Sequence, residues 1–260
     1  PAPLDLSFAG GEAAQRLAEA TGGTALTERH LRLPPGTRPA DLPGFDAGEF
    51  WVQDIAASLA ARLLGPGEGA HVIDLCAAPG GKTLQLAAAG WRVTAVDLSG
   101  PRLKRLHENL RRTGLAAEIV VADALTFSPA APADAVLLDA PCSATGIFRR
   151  HPDVLHRVRP RAIVAMAERQ QAMLARAAAA VRPGGLLVYA VCSLEPQEGE
   201  QAIEDFLVRQ PGFAIEPVAP GELPDGIVPS ARGTVRVLPG MLEAAGGADG
   251  FFIARLRKAA

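Results

Sequence analysis

The stretch Ala70-His71-Val72-Ile73-Asp74-Leu75-Cys76-Ala77-Ala78-Pro79-Gly80-Gly81-Lys82-Thr83 joins an apolar run to a turn of small residues, and an apolar helical pattern follows from Leu84. A short apolar run closed by such a turn reads as a buried strand, and the continuation reads as a helix. Glycines at a strand-to-helix turn let the backbone approach a ligand closely, while the free N–H groups of the new helix favour an anionic group. A nucleotide-like ligand is expected, because a plain surface turn rarely needs two glycines, a proline and no large side chain.

Outward from this turn, strand and helix patterns alternate for more than a hundred residues. Strands are expected near residues 71–75, 92–96, 118–122, 134–138 and 185–191, and helices near 53–64, 82–89, 100–112, 161–181 and 196–209. Parallel neighbours need crossover connections, so the alternation implies an α/β fold: a Rossmann-like, mostly parallel, seven-stranded sheet with helices on both faces. Its ligand crevice lies at the carboxyl ends of the strands. Apolar stretches at 234–238 and 250–256, joined by a Gly-rich loop, predict an antiparallel C-terminal hairpin on the sheet edge. Residues 1–47, with a helical pattern near 11–20 and a Pro-rich stretch after it, read as a small appendage and linker, leaving 48–260 as the catalytic unit.

Bulk properties narrow the function. The 260 residues are 48% hydrophobic and 5% aromatic, enough to bury a core without disulfides, and no apolar run approaches a membrane span. A cytoplasmic monomer is expected. Three Cys without C-x-x-C spacing fit neither a disulfide framework nor a zinc site, so no metal is expected. The net charge of −2 argues against affinity from a general basic coat, although Arg102, Lys104, Arg105, Arg111 and Arg112, and Arg149, Arg150, Arg157, Arg159 and Arg161, form local patches. The chain begins at Pro1, and an upstream domain is expected to be missing.

Gly81-Lys82-Thr83 also fits the second half of a phosphate-binding P-loop, with residues 135–139 as its metal-binding strand, so an NTPase is a rival. That motif needs Gly where this chain has Cys76. Asp97 and Asp123 close the next two strands, and acids lining one crevice repel triphosphate while accepting hydrogen bonds from ribose hydroxyls. A cationic, phosphate-free nucleoside such as S-adenosylmethionine suits them better.

The fourth strand ends in Asp139-Ala140-Pro141-Cys142-Ser143 and the fifth in Ala190-Val191-Cys192-Ser193, so both place a thiol at the crevice. A lone free Cys is usually a small buried hydrophobe; two beside one crevice suggest chemistry. Carbon 5 of a pyrimidine is too weak a nucleophile to take a methyl group directly, and a thiolate added at carbon 6 solves this. A cation or helix N-terminus favours a thiolate, and Cys192 precedes the helix expected from about Pro196. Loss of the carbon-5 proton then needs a base, for which Cys142, Asp139 and ordered water are the candidates.

These motifs together resemble the NOL1/NOP2/Sun family of RNA cytosine-5 methyltransferases, in particular its bacterial ribosomal RNA branch. The resemblance spans residues 48–258 and rests on Trp51-Val52-Gln53-Asp54, Asp74 through Thr83, Asp139 through Ser143 with Gly146, Arg149-Arg150-His151-Pro152-Asp153, Arg169-Gln170, Pro183-Gly184-Gly185, Cys192-Ser193 and Asp249-Gly250-Phe251-Phe252. It implies a class I methyltransferase in which Cys192 attacks the base and Cys142 assists release. Cofactor contacts fall to Cys76, Ala77, Ala78, Pro79, Gly80, Gly81, Lys82, Asp97, Arg102, Asp123 and Asp139, with Lys82 and Asp139 also touching the target base. It places Arg149, Arg150 and His151 near RNA, most simply 16S ribosomal RNA. Transfer RNA is the alternative substrate, and a non-catalytic RNA-binding assembly factor is a further rival. Ala190-Val191 departs from the family's frequent Ser-Thr, which affects packing. Full-length relatives of this type carry an N-terminal domain resembling the antitermination factor NusB.

Overall fold

The computed structural model describes residues 2–260. The chain begins with an antiparallel sheet: β1 (Leu4–Phe8), helix α1 (Gly11–Thr21), β2 (Thr24–Thr27), β3 (His30–Leu33) and, after a Pro-rich excursion, β4 (Phe50–Val52). Strand order is β2-β3-β1-β4, and the sheet packs Leu6, Phe8, Leu31, Leu33 and Phe50 against Ala14 and Leu17 of α1. The segment expected as appendage and linker is thus a folded layer with its own core.

The chain continues through α2 (Ile55–Arg62), β5 (His71–Leu75), α3 (Gly81–Ala88), β6 (Arg92–Asp97), α4 (Gly100–Thr113), β7 (Glu118–Val121) and β8 (Ala133–Asp139). It ends with α5 (Val154–Arg157), α6 (Pro160–Ala180), β9 (Val181–Val191), α7 (Glu200–Arg209), β10 (Phe213–Ile215), β11 (Val235–Val237) and β12 (Phe251–Lys258). The order β10-β12-β9-β8-β5-β6-β7, with β9 to β7 mutually parallel, bears out the expected mostly parallel α/β sheet, and β11 beside β12 makes eight strands in place of the expected seven. The β11–β12 hairpin is antiparallel, as expected. Its longer strand, however, is not the edge: β12 lies between β9 and the two short strands β10 and β11.

Alternate side chains of a strand point to opposite faces, and both faces here are covered. Val136, Leu138, Leu187 and Tyr189 pack under α6 and α7, while Ala135, Leu137, Val188 and Ala190 face α2 and the C-terminal segment. The N-terminal layer is bolted to this body. Buried Arg32 pairs bidentately with Asp5 at 2.6 and 2.7 Å, and its remaining nitrogen donates to the Ala245 and Gly247 carbonyls. Four donors from one planar guanidinium are the geometry in which a buried charge is tolerated.

Candidate active site

The parallel register brings the chemistry together. Asp139 pairs with Ala190, so the loops carrying Cys142 and Cys192 leave β8 and β9 side by side. Their sulfurs lie 3.5 Å apart. The Gly146 amide donates to the Cys192 carbonyl at 3.0 Å, and the Leu194 amide to Thr145 Oγ1 at 2.9 Å. Gly146 has to be glycine, because a Cβ there would meet the Gly250 carbonyl oxygen at 2.0 Å. Hydrogen bonding to Cys192 and then burial hold the Cys142 thiol well above its ordinary range, so Cys142 keeps its proton.

On the neighbouring strand, Gly80 turns the chain into α3 with φ of 113°, a left-handed conformation that favours glycine, and a Cβ there would press on Leu106 at 2.4 Å. The turn aims Lys82 at β8. Lys82 Nζ donates to Asp139 Oδ2 at 2.7 Å and lies 5.3 Å from the centre of the Phe251 ring. Burial alone would weaken the ammonium; Asp139 outweighs it and raises Lys82, with smaller contributions from Asp74 and Cys192. Thr83 Oγ1 donates to the buried Asp74 at 2.6 Å. Burial pushes the Asp74 carboxyl up to about 7, and burial likewise pushes the Cys76 thiol up to about 12.

A cavity of about 200 Å³ opens at the ends of β6, β7 and β8, lined by Cys76, Asp97, Arg102, Asp123, Pro141 and Met173 among others. Asp97 accepts from the Ala78 and Ser99 amides at 3.1 and 2.8 Å, and Arg102 closes the rim by pairing with Asp97 and donating to the Ala78 carbonyl. Asp123 accepts from the Leu125 amide at 2.9 Å. An acid-lined cavity suits a cationic nucleoside with ribose hydroxyls to donate. It suits a nucleoside triphosphate poorly, because Lys82 and Thr83 are committed to Asp139 and Asp74. Cys76 therefore meets both regions: it lines the cavity and begins the turn that carries Lys82.

The three residues expected near RNA divide. Arg149 donates to Asp54 at 2.7 Å and to the Gly246 carbonyl, and also approaches Asp249, which Arg150 pairs with in turn. These arginines clamp the start of α2 to the approach to β12. Arg150 and His151 are exposed, and Arg150 is held by Asp249. The helix expected just after Cys192 begins at Glu200, because residues 196–199 form a turn first. That turn buries Glu198, which the sequence reading did not single out. Among the described residues no helix is long and apolar enough to cross a membrane, and no His, Cys, Asp or Glu cluster has metal-ligating geometry.

Comparison with known proteins agrees with this geometry. Residues 61–257 match the family described as 16S rRNA methyltransferase RsmB/F. The ribosomal RNA small subunit methyltransferase B of Sodalis glossinidius is 39% identical over 254 residues, covering 93% of this chain and 55% of that protein. The chain thus spans about half the length of the curated relatives it matches. Among solved structures, a methyltransferase homolog protein from Pyrococcus horikoshii aligns with a TM-score of 0.81 at 25% identity, covering 99% of this chain and 87% of that one. NSun6 from Pyrococcus horikoshii, solved with SFG, aligns at 0.74 and 32% identity over 88% of this chain and 59% of that one. The match over most of its length and the shared fold make one conclusion plain: the chain belongs to the RsmB/F family of 16S rRNA methyltransferases.

Proposed function

We propose that this chain methylates carbon 5 of a cytosine in 16S ribosomal RNA, using S-adenosylmethionine, with Cys192 as nucleophile and Cys142 as the group that assists its release. The observation that carries this reading is the contact of two thiols, 3.5 Å apart, at adjacent strand ends beside an acid-lined cavity. When bound, S-adenosylmethionine supplies an electrophilic methyl group on a sulfonium. Asp97 and Asp123 would accept from its hydroxyls, and the turn from Cys76 to Gly81 would pack against it.

The residues of the chain account for the rest. The Cys192 sulfur forms a bond to carbon 6, and the electron pair of the 5,6 double bond moves to carbon 5, which becomes the nucleophile. Asp139 spends Oδ2 on Lys82 and keeps its other oxygen for the base, where it accepts from the amino group or a protonated ring nitrogen. After methylation the carbon-5 proton leaves to a base and the carbon–sulfur electron pair returns to Cys192. An ordinary thiol is protonated at neutral pH, and the Cys142 sulfur stands against that of Cys192, so the carbon-5 proton goes to Asp139 or water. Cys142 instead donates to the departing Cys192 sulfur. The target base has to leave its stack to reach these groups.

The test is methyl transfer from labelled S-adenosylmethionine to protein-free small-subunit RNA, read as 5-methylcytosine. Wild type should form it and Cys192→Ala should not. Label on another nucleotide, or an unimpaired Cys192→Ala variant, would overturn the reading.

A further inference from the structure

Glu198 is fully buried, and its carboxylate stands between the two thiol loops. One oxygen accepts from the Ser143 amide at 2.9 Å and from Gln170 Nε2 at 3.1 Å; the other accepts from the Ser143 and Ser193 hydroxyls. Ser143 follows Cys142 and Ser193 follows Cys192, and the two hydroxyls are themselves 3.1 Å apart. Gln170 of α6 also donates to the Pro141 carbonyl, immediately before Cys142, at 2.9 Å. Tyr189 of β9 fixes the clamp from below by donating to the Glu198 carbonyl at 2.7 Å.

A carboxylate out of water is costly unless its lone pairs are filled, and four donors fill them here. Two hydroxyls, an amide and a carboxamide converge on a group that does not face the cavity. A salt bridge would satisfy the charge more simply, but the partners chosen are those that flank the thiols.

We propose that Glu198 is the positioning residue of this site: its carboxylate sets the separation of the Cys142 and Cys192 loops, so that one placement of the base serves both attack and release. The inference rests on the roles proposed for the two thiols, but its geometric half is independent of them. Its charge also bears on Cys142, whose thiol is held up first by the Cys192 hydrogen bond, then by burial and Cys192, and then by Glu198.

The test compares wild type with Glu198→Gln, which keeps the shape, and Ser193→Ala, which removes one donor. Two quantities are read in folded protein. The first is the rate at which diamide joins Cys142 to Cys192, the reagent taking two electrons and two protons as the S–S bond forms. The second is methyl transfer, resolved into kcat and KM for S-adenosylmethionine. In Glu198→Gln, cross-linking and kcat should each fall about 100-fold, the scale of an ångström-sized misplacement, with KM within about twofold. Ser193→Ala should show a smaller loss in both. Wild-type cross-linking in both variants, or a rise in KM that accounts for the whole loss, would overturn the proposal. Should wild type methylate no RNA, the thiol roles fail, while the cross-linking comparison still decides whether Glu198 holds the loops.

Discussion

Lys82 and Asp139 form a 2.7 Å ion pair that ties the turn after β5 to the end of β8, with the lysine side chain 10% exposed and the aspartate 31%. The pair sits at the carboxyl edge of the sheet, at the end of the strand that leads to Cys142. Removing one partner of a buried pair strands the other charge. Asp139→Ala is therefore expected to cost about 3 kcal/mol of unfolding free energy, the low end for such pairs because the carboxylate is partly exposed. Chemical denaturation checks this, and a change near zero would mean that water already screens the lysine.

Arg149 should prove a clamp. Its side chain is 14% exposed and faces Asp54 and Asp249, which are 3% and 1% exposed. Burial, and then the neighbouring Asp249, already raise the Asp54 carboxyl, so removing Arg149 takes from buried Asp54 its ion-pair partner and leaves Asp249 to Arg150. Arg149→Met is expected to lose about 3 kcal/mol at neutral pH. The deficit should shrink as the pH is lowered, because the raised Asp54 carboxyl can then take up a proton. By contrast Arg157→Met, at an exposed pair, should change stability by less than about 0.5 kcal/mol. Equal stability of the two variants would return Arg149 to the RNA-facing role the sequence suggested.

Asp74 gives a pH dependence of definite sign. Its folded-state carboxyl holds a proton up to about 7, against 3.8 for the ordinary side chain. The folded state thus binds the proton more tightly, and the contribution is complete below pH 3.8 and lost as pH rises towards 7. The loss is on the order of 4 kcal/mol, and Asp74→Asn should abolish it. Asp5 works in the opposite direction, since Arg32 and His30 hold its carboxyl down against burial, so the difference between variant and wild type is the quantity to plot. Parallel curves for the two proteins would contradict the assignment.

Asp97 anchors the cavity through two backbone amides. Asp97→Ala leaves the Ala78 and Ser99 amides without acceptors and removes the acid proposed to meet the ribose. Hydrogen bonds to a charged group are worth about 1.5–3 kcal/mol, so affinity for S-adenosylmethionine should drop roughly 10- to 150-fold by calorimetry. An unchanged affinity would move the ligand out of this cavity.

How much of this was legible depended on distance along the chain. The run from Ala70 to Thr83 carries its strand, turn and helix locally, and parallel pairing then brings the expected strand ends, hence Asp97, Asp123, Asp139 and both thiols, to one edge. The N-terminal sheet was hidden because β1 pairs on one side with β3 and on the other with β4, across a Pro-rich segment that reads as linker. Arg149 looked like a surface cation because its partners Asp54 and Asp249 lie 95 and 100 residues away. Nothing near Glu198 announces a buried carboxylate. Two of its donors, Ser143 and Gln170, are 55 and 28 residues distant, and Ser193 alone is local.

The central claim is a covalent bond from Cys192 to carbon 6 of the base, with Cys142 acting on its release. Cys142→Ala, incubated with small-subunit RNA and S-adenosylmethionine and then denatured, should retain RNA on the protein, and digestion should place the methylated nucleotide on the peptide that contains Cys192. Retention on any other residue, or the same yield of adduct when Cys192 is also replaced by Ala, would contradict the account.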